Sequence, residues 1–200
     1  MTDVRTERSS AAGQPTGKRQ GKRERLLAAA IELLHQEGVE RTTLADIAHR
    51  AEVPVGGVYY YFKTKEDVVT AVIEAHAAEV RASLADIEHR HGSPKDRLKA
   101  LVDQFASRNE LIAEFGCPLG TICSELDKRH VETSPAAVLM RLPIAWMEEQ
   151  YRALGCDDAD ELALELMAAY EGSALLANTM RDPSILTGAA RRINRGIDAL

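Results

Sequence analysis

Cysteine is scarce in this chain of 200 residues: there are three (Cys117, Cys123 and Cys156), an odd number, and no two stand in a Cys-x-x-Cys pair. That excludes a disulfide framework and a structural zinc site. No apolar run approaches the roughly 20 residues needed to cross a bilayer, so no membrane partner is expected. The first residues are polar and charged (Thr2, Asp3, Arg5, Glu7, Arg8) and lack the apolar core of a secretory signal, which leads to an expected cytoplasmic location. Stretches of alternating apolar and polar residues bounded by hairpin turns are missing as well. Also absent are a Gly-x-Ser-x-Gly elbow, a Gly-rich phosphate loop and any metal-ligand spacing among the six histidines. An enzyme, a metal site and a bound cofactor are therefore not expected.

What is present is an uneven distribution of charge. Residues 1 to 65 hold 11 Lys and Arg against 8 Asp and Glu, a net of +3, whereas the other 135 hold 14 against 23, a net of −9. A basic head thus precedes an acidic body, and charge read by region is what bears on a nucleic-acid face. Residues 1 to 20 read as a flexible basic arm, rich in Ser, Gly, Thr and Gln. Lys18, Arg19, Lys22, Arg23 and Arg25 form a basic cluster within reach of phosphate if the next segment binds DNA.

The periodicity predicts helices throughout, an all-α fold. Leu27, Ala30, Ile31 and Leu34 share one face of a first helix that Gly38 closes. Thr43, with Asp46 three residues on, caps a short second helix, and Pro54 opens a third that runs to about Tyr61. Thr64 and Asp67 cap a long fourth helix towards His91, and Ser93-Pro94 starts another that reaches to near Gly116. Further helices follow from Pro118, Ser134-Pro135, Asp157 or Asp158, and Pro183; Pro143 should bend the one that contains it.

Two short helices joined by a tight turn form the arrangement that sets one of them in the major groove. The third helix carries Gly56 and Gly57, at about 1 kcal/mol each relative to Ala, which points to a close backbone approach. Tyrosine hydroxyls, Lys63 and Lys65 are in position to reach phosphate oxygens. Tyr61 and Phe62 are expected to pack inward, Tyr59 and Tyr60 to face out.

The segment Thr-Thr-Leu-Ala-Asp-Ile-Ala-x-x-Ala at 42 to 51, followed by Val-Pro-Val-Gly-Gly-Val-Tyr-Tyr-Tyr-Phe-Lys-Thr-Lys-Glu-Asp at 53 to 67, resembles the TetR/AcrR family of regulators. The resemblance covers about residues 22 to 70. It implies a DNA-binding head at 21 to 66 and a ligand-binding and dimerisation body at 67 to 200. It further implies double-stranded operator DNA as partner and a homodimer built through the last two long helices. By the same resemblance Thr43 and Lys65 contact phosphate, Tyr59 or Tyr60 the DNA backbone, and Val55, Gly56 and Gly57 the bases, with Thr42 and Lys63 as further candidates. Glu52 and Pro54 depart from the family pattern, which often has Gly and a small hydroxyl residue at those places.

For the body, Phe105, Phe115, Ile122, Trp146, Met147 and Tyr170 are candidate walls of a pocket for a small apolar effector, with polarity from His76, Glu114 and Glu125; each apolar one is equally a core residue. Cys117, just ahead of a helix start, is expected to have a depressed pKa and to react with electrophiles, or else to be a buried hydrophobe. Leu166, Ala169, Ser173, Leu176, Ala177 and Met180, with Ile193 and Ile197, are expected at an isologous dimer interface. The reading is an effector- or electrophile-responsive repressor; the alternatives are an activator with the same head or a helical protein-interaction module.

Overall fold

The computed structural model describes residues 21–127 and 135–200; the arm expected at 1 to 20, with Lys18 and Arg19, lies outside the described residues. Ten helices are present among them and no strand: α1 (Lys22–Glu37), α2 (Leu44–Arg50), α3 (Val55–Tyr61), α4 (Lys65–Arg90), α5 (Pro94–Ala106), α6 (Asn109–Phe115), α7 (Pro118–Asp127), α8 (Ala137–Ala153), α9 (Ala159–Met180) and α10 (Ser184–Asp198).

Local chemistry places the starts. The Thr43 hydroxyl accepts from the Asp46 amide at 3.2 Å while the Asp46 carboxylate accepts from the Thr43 amide at 2.9 Å. The Thr64–Asp67 pair repeats the device at α4, and Ser93 caps α5 with Pro94 in its first turn. Between α2 and α3 the turn passes through Glu52 at φ +53, a left-handed conformation that costs a non-glycine residue about 1 kcal/mol. One correction concerns the helix expected from Ser93 to Gly116. It breaks at Ser107 and Arg108, so that α5 and α6 are separate helices.

The core has two parts. Leu26, Leu33 and Leu34 of α1, Ile47 of α2, Val58 of α3 and Val68, Val72 and Ile73 of α4 close the head, and Ile122, Leu126 and Leu139 from α7 and α8 pack into the same cluster. Head packing therefore continues past residue 66 into the first half of α4. The second cluster joins Leu84 and Ile87 of α4 to Leu98, Leu101 and Val102 of α5, Met147 and Tyr151 of α8, and α9 and α10. Each fully buried Leu or Met contributes roughly 1.5–3 kcal/mol. Inside α8, the buried Pro143 has no N–H to return to the carbonyl of Leu139.

α7 stands between the two parts. The buried Val39 amide, just past α1, donates to Glu125 Oε2 of α7 at 2.6 Å, and His35 Nε2 meets the Gly116 carbonyl at 2.9 Å. Gly38 permits the first contact: it sits at φ +86, and a Cβ there would lie 2.6 Å from Glu125 Oε1.

Candidate functional site

On the head, α3 presents Val55, Gly56, Tyr59 and Tyr60 outward; Val55 is 47%, Tyr59 48% and Tyr60 77% exposed, while Val58 is fully buried and anchors the helix from below. Nothing lies within 4 Å of a Cβ built on Gly56, whereas one on Gly57 would meet Val53 Cγ1 at 3.0 Å. Gly57 thus has a packing reason of its own, and Gly56 has none among the described residues. Thr43 is exposed at the start of α2. Lys63, exposed, and Lys65, half-buried, rest their ammonium groups on backbone carbonyls, of Tyr59 at 2.5 Å and Glu40 at 2.9 Å.

Two expectations fail here. Thr42 is 1% exposed and donates its hydroxyl to the Gly38 carbonyl at 2.8 Å, so it closes the turn after α1 and faces no ligand. Tyr61 does not pack inward; it is 36% exposed and meets Tyr60 edge-on, with 4.9 Å between ring centroids, while Phe62 alone is buried. The basic cluster is partly structural as well. Arg25 donates to the Ala51 carbonyl at the end of α2, and Arg23 lies over the Phe62 ring.

The body holds a partly open cavity of about 100 Å³ between α4, α5, α6, the start of α7, α8 and α9. Of the expected walls, Phe105, Cys117 and Tyr170 line it, and Phe105 stacks on Tyr170 at 4.1 Å. The other four do not. Ile122 is buried in the head cluster, Met147 is fully buried in the body core, Phe115 packs edge-on against His35, and Trp146 donates its indole N–H to Glu88 at 2.7 Å. Glu114 is exposed and Glu125 is turned to the head, which leaves His76 as the expected polar residue that is present. Arg108 and Glu171 also line the cavity. The sequence reading missed both, since neither falls on an apolar stripe.

The thiol expectation reverses. The Gly120 amide at the start of α7 does point at Cys117 Sγ, at 3.5 Å, and favours the thiolate. Burial and the Glu171 carboxylate, which accepts the thiol at 3.2 Å, outweigh it and push the Cys117 pKa up to about 12. Burial likewise raises Glu171, with the Cys117 hydrogen bond acting in the opposite sense. The same burial lowers His76 despite Glu79 nearby.

The expected dimer face also needs correction. Leu166, Ala177 and Ile197 are buried within their own chain, and Ile193 packs beside Phe105 and Val102. What α9 turns outward is Leu164, Ala168, Ala169, Gly172, Leu175, Leu176 and Met180, of which Leu164, Leu175, Leu176 and Met180 are more than half exposed; Ser173 is half-buried beside them, its hydroxyl on the Ala169 carbonyl.

A capped three-helix head with a short exposed third helix, set on a larger helical body with a cavity, defines a helix-turn-helix DNA-binding regulator. Residues 26–72 match the family described as bacterial regulatory proteins, tetR family. Over 159 residues the chain is 30% identical to the HTH-type transcriptional regulator BetI of Escherichia coli strain UMN026, covering 78% of this chain and 82% of that one. It is 35% identical over 83 residues to the HTH-type transcriptional repressor NemR of Escherichia coli K12, 41% of this chain and 42% of that one. A TetR transcriptional regulator from Legionella pneumophila superposes with a TM-score of 0.80 at 26% identity, over 90% of this chain and 99% of that one. The chain belongs to the TetR family of transcriptional regulators, which bind operator DNA through this head and function as dimers. No described helix is long and apolar enough to cross a membrane.

Proposed function

We propose that the chain is an effector-responsive repressor: a homodimer holds operator DNA through Thr43, Val55, Gly56, Gly57, Tyr59, Tyr60, Lys63 and Lys65, and a small molecule in the body cavity releases it. The observation that carries this reading is the double duty of α7. Pro118 and Leu119 at its start line the cavity, and Glu125 further along holds the end of α1 through the Val39 amide. A ligand with higher affinity for one position of α7 shifts the population of head orientations, and in a dimer that alters the spacing of the two recognition helices. A tilt of α4, shared by both core clusters, accompanies such a shift.

The dimer rests on the outward face of α9, whose small residues at 168, 169 and 172 let a partner helix approach closely between the larger Leu164, Leu175, Leu176 and Met180. An ionised sensor thiol is not favoured, because Cys117 is buried beside a carboxylate. Few hydrogen-bonding side chains stand on α3, so operator choice draws on backbone approach, methyl contacts and DNA shape.

The test is a mobility shift on the DNA upstream of the chain's own gene, and on selected random DNA, over a salt series. A specific complex that weakens with salt and in a Tyr59→Ala, Lys65→Ala double variant supports the reading. Failure to select any DNA sequence refutes it and favours a protein-interaction module.

A further inference from the structure

Among the described residues two buried side-chain polar atoms have no hydrogen-bond partner, His76 Nε2 and Asn194 Oδ1, and of the two residues only His76 lines the cavity. His76 is 6% exposed, on the apolar stripe of α4. A buried nitrogen without a partner is destabilising, and one that faces a cavity is a receptor for a group brought by a ligand. The other ring nitrogen, Nδ1, faces Glu79 Oε2 at 3.7 Å, and Arg108 pairs with the same carboxylate at 3.1 Å. At 3.7 Å the Nδ1 contact is no hydrogen bond, but a carboxylate on the Nδ1 side favours the tautomer with the proton on Nδ1, which leaves Nε2 as a lone pair. Burial lowers the pKa of the ring and so disfavours its charged form.

The rest of the cavity fits a mostly apolar occupant. Leu84, Leu101, Ile112, Met140 and Met167 supply its walls. Among the described residues its charged groups are paired, Arg108 with Glu79 and Glu171 with the Cys117 thiol, which favours an uncharged occupant. At about 100 Å³ the space is below the ~150 Å³ of an apolar cavity that accepts benzene, so a molecule built on one six-membered ring is held only with expansion of the walls or with part of it in the open mouth.

Resting on the reading of this cavity as the effector site, we infer that the effector is a compact, uncharged, largely apolar molecule that donates one hydroxyl or N–H to His76 Nε2. Small phenols are the simplest members of that class. A molecule with acceptors alone leaves Nε2 unsatisfied.

Phenol, toluene and benzaldehyde have similar shapes and carry a donor, no polar group and an acceptor respectively. Titrated calorimetrically into the full-length protein, phenol should bind about tenfold or more tightly than either of the others, although toluene is the most readily driven out of water. The ¹⁵N resonance of His76 Nε2 should move on adding phenol, and a His76→Leu variant should lose the preference. The ligand series and the resonance use the unaltered protein, so a variant that fails to fold leaves the test standing. Toluene or benzaldehyde binding as tightly as phenol overturns the donor class and leaves the cavity as a ligand site. Binding of none of the three overturns both.

Discussion

Glu125→Ala removes the acceptor that ties the end of α1 to α7. The contact is a hydrogen bond of 2.6 Å from a backbone amide that is almost completely buried to a carboxylate, and the variant leaves that amide with no acceptor. Hydrogen bonds to charged groups contribute roughly 1.5–3 kcal/mol, so a loss of about 2 kcal/mol is expected. In a chain of this size each kcal/mol lowers Tm by about 2–4 °C, which gives a fall of about 4–8 °C by calorimetry. Where the opening is local, about 2 kcal/mol is about a thirtyfold loss of hydrogen-exchange protection at Val39. Glu125→Gln keeps a neutral acceptor of about half the strength and should lose about half as much. Because His35 still meets the Gly116 carbonyl, the head stays attached, and amides deep in α9 should keep their protection. Unchanged protection at Val39 together with an unchanged Tm in Glu125→Ala would refute α7 as the link between cavity and head.

Four other outcomes follow from the same geometry. Gly56→Ala meets open space and relieves the entropy of an exposed helical glycine, so thermal stability should rise by up to about 1 kcal/mol while operator affinity in a mobility shift falls. Cys117 should alkylate about a thousandfold more slowly than a thiol at the ordinary 9.0, behind the half-buried Cys123 and Cys156, as read by mass spectrometry of timed iodoacetamide labelling. Since the folded state holds the Cys117 proton up to about 12 and the unfolded chain releases it near 9.0, its contribution to stability is full below 9.0 and declines as pH rises through that window; denaturant midpoints should fall less steeply there in Cys117→Ser. Leu175→Glu with Leu176→Glu puts charges on the outward face of α9, where the two leucines are 67% and 52% exposed, and light scattering should then report a monomer of unchanged helicity.

The head was legible in the sequence because its signals are local. A Thr with an Asp three residues on closes a capping box whatever surrounds it, and α2 and α4 begin where those pairs predict. Adjacent positions were harder: Thr42 and Thr43 carry the same hydroxyl, but only the second stands at the helix start, and the first turns inward to the Gly38 carbonyl. Tyr61 and Phe62 are neighbours likewise: Tyr61 is the last residue of α3, and Phe62, extended just past its end, is the one that is buried.

The body was legible only as helices, for a physical reason that α9 makes plain. A helix apolar on most of its circumference has no phase in its pattern, so Leu166 and Ala177, which face inward, read the same as Leu164 and Leu175, which face out. Cavity walls suffer the same degeneracy, since Met140 beside the cavity and Met147 in the core obey the same burial rule. Cys117 shows a second reason: its local sequence correctly reports an amide at a helix start, yet Glu171, 54 residues away in the chain, reverses the outcome. His76 escapes both difficulties. A polar residue on the stripe of Val69, Val72, Ile73 and Val80 is anomalous in the sequence itself, and the fold adds the one thing the pattern cannot hold, that Nε2 is left without a partner. Buried polar anomalies on otherwise apolar helix faces are thus where a sequence of this kind comes nearest to marking its own ligand site.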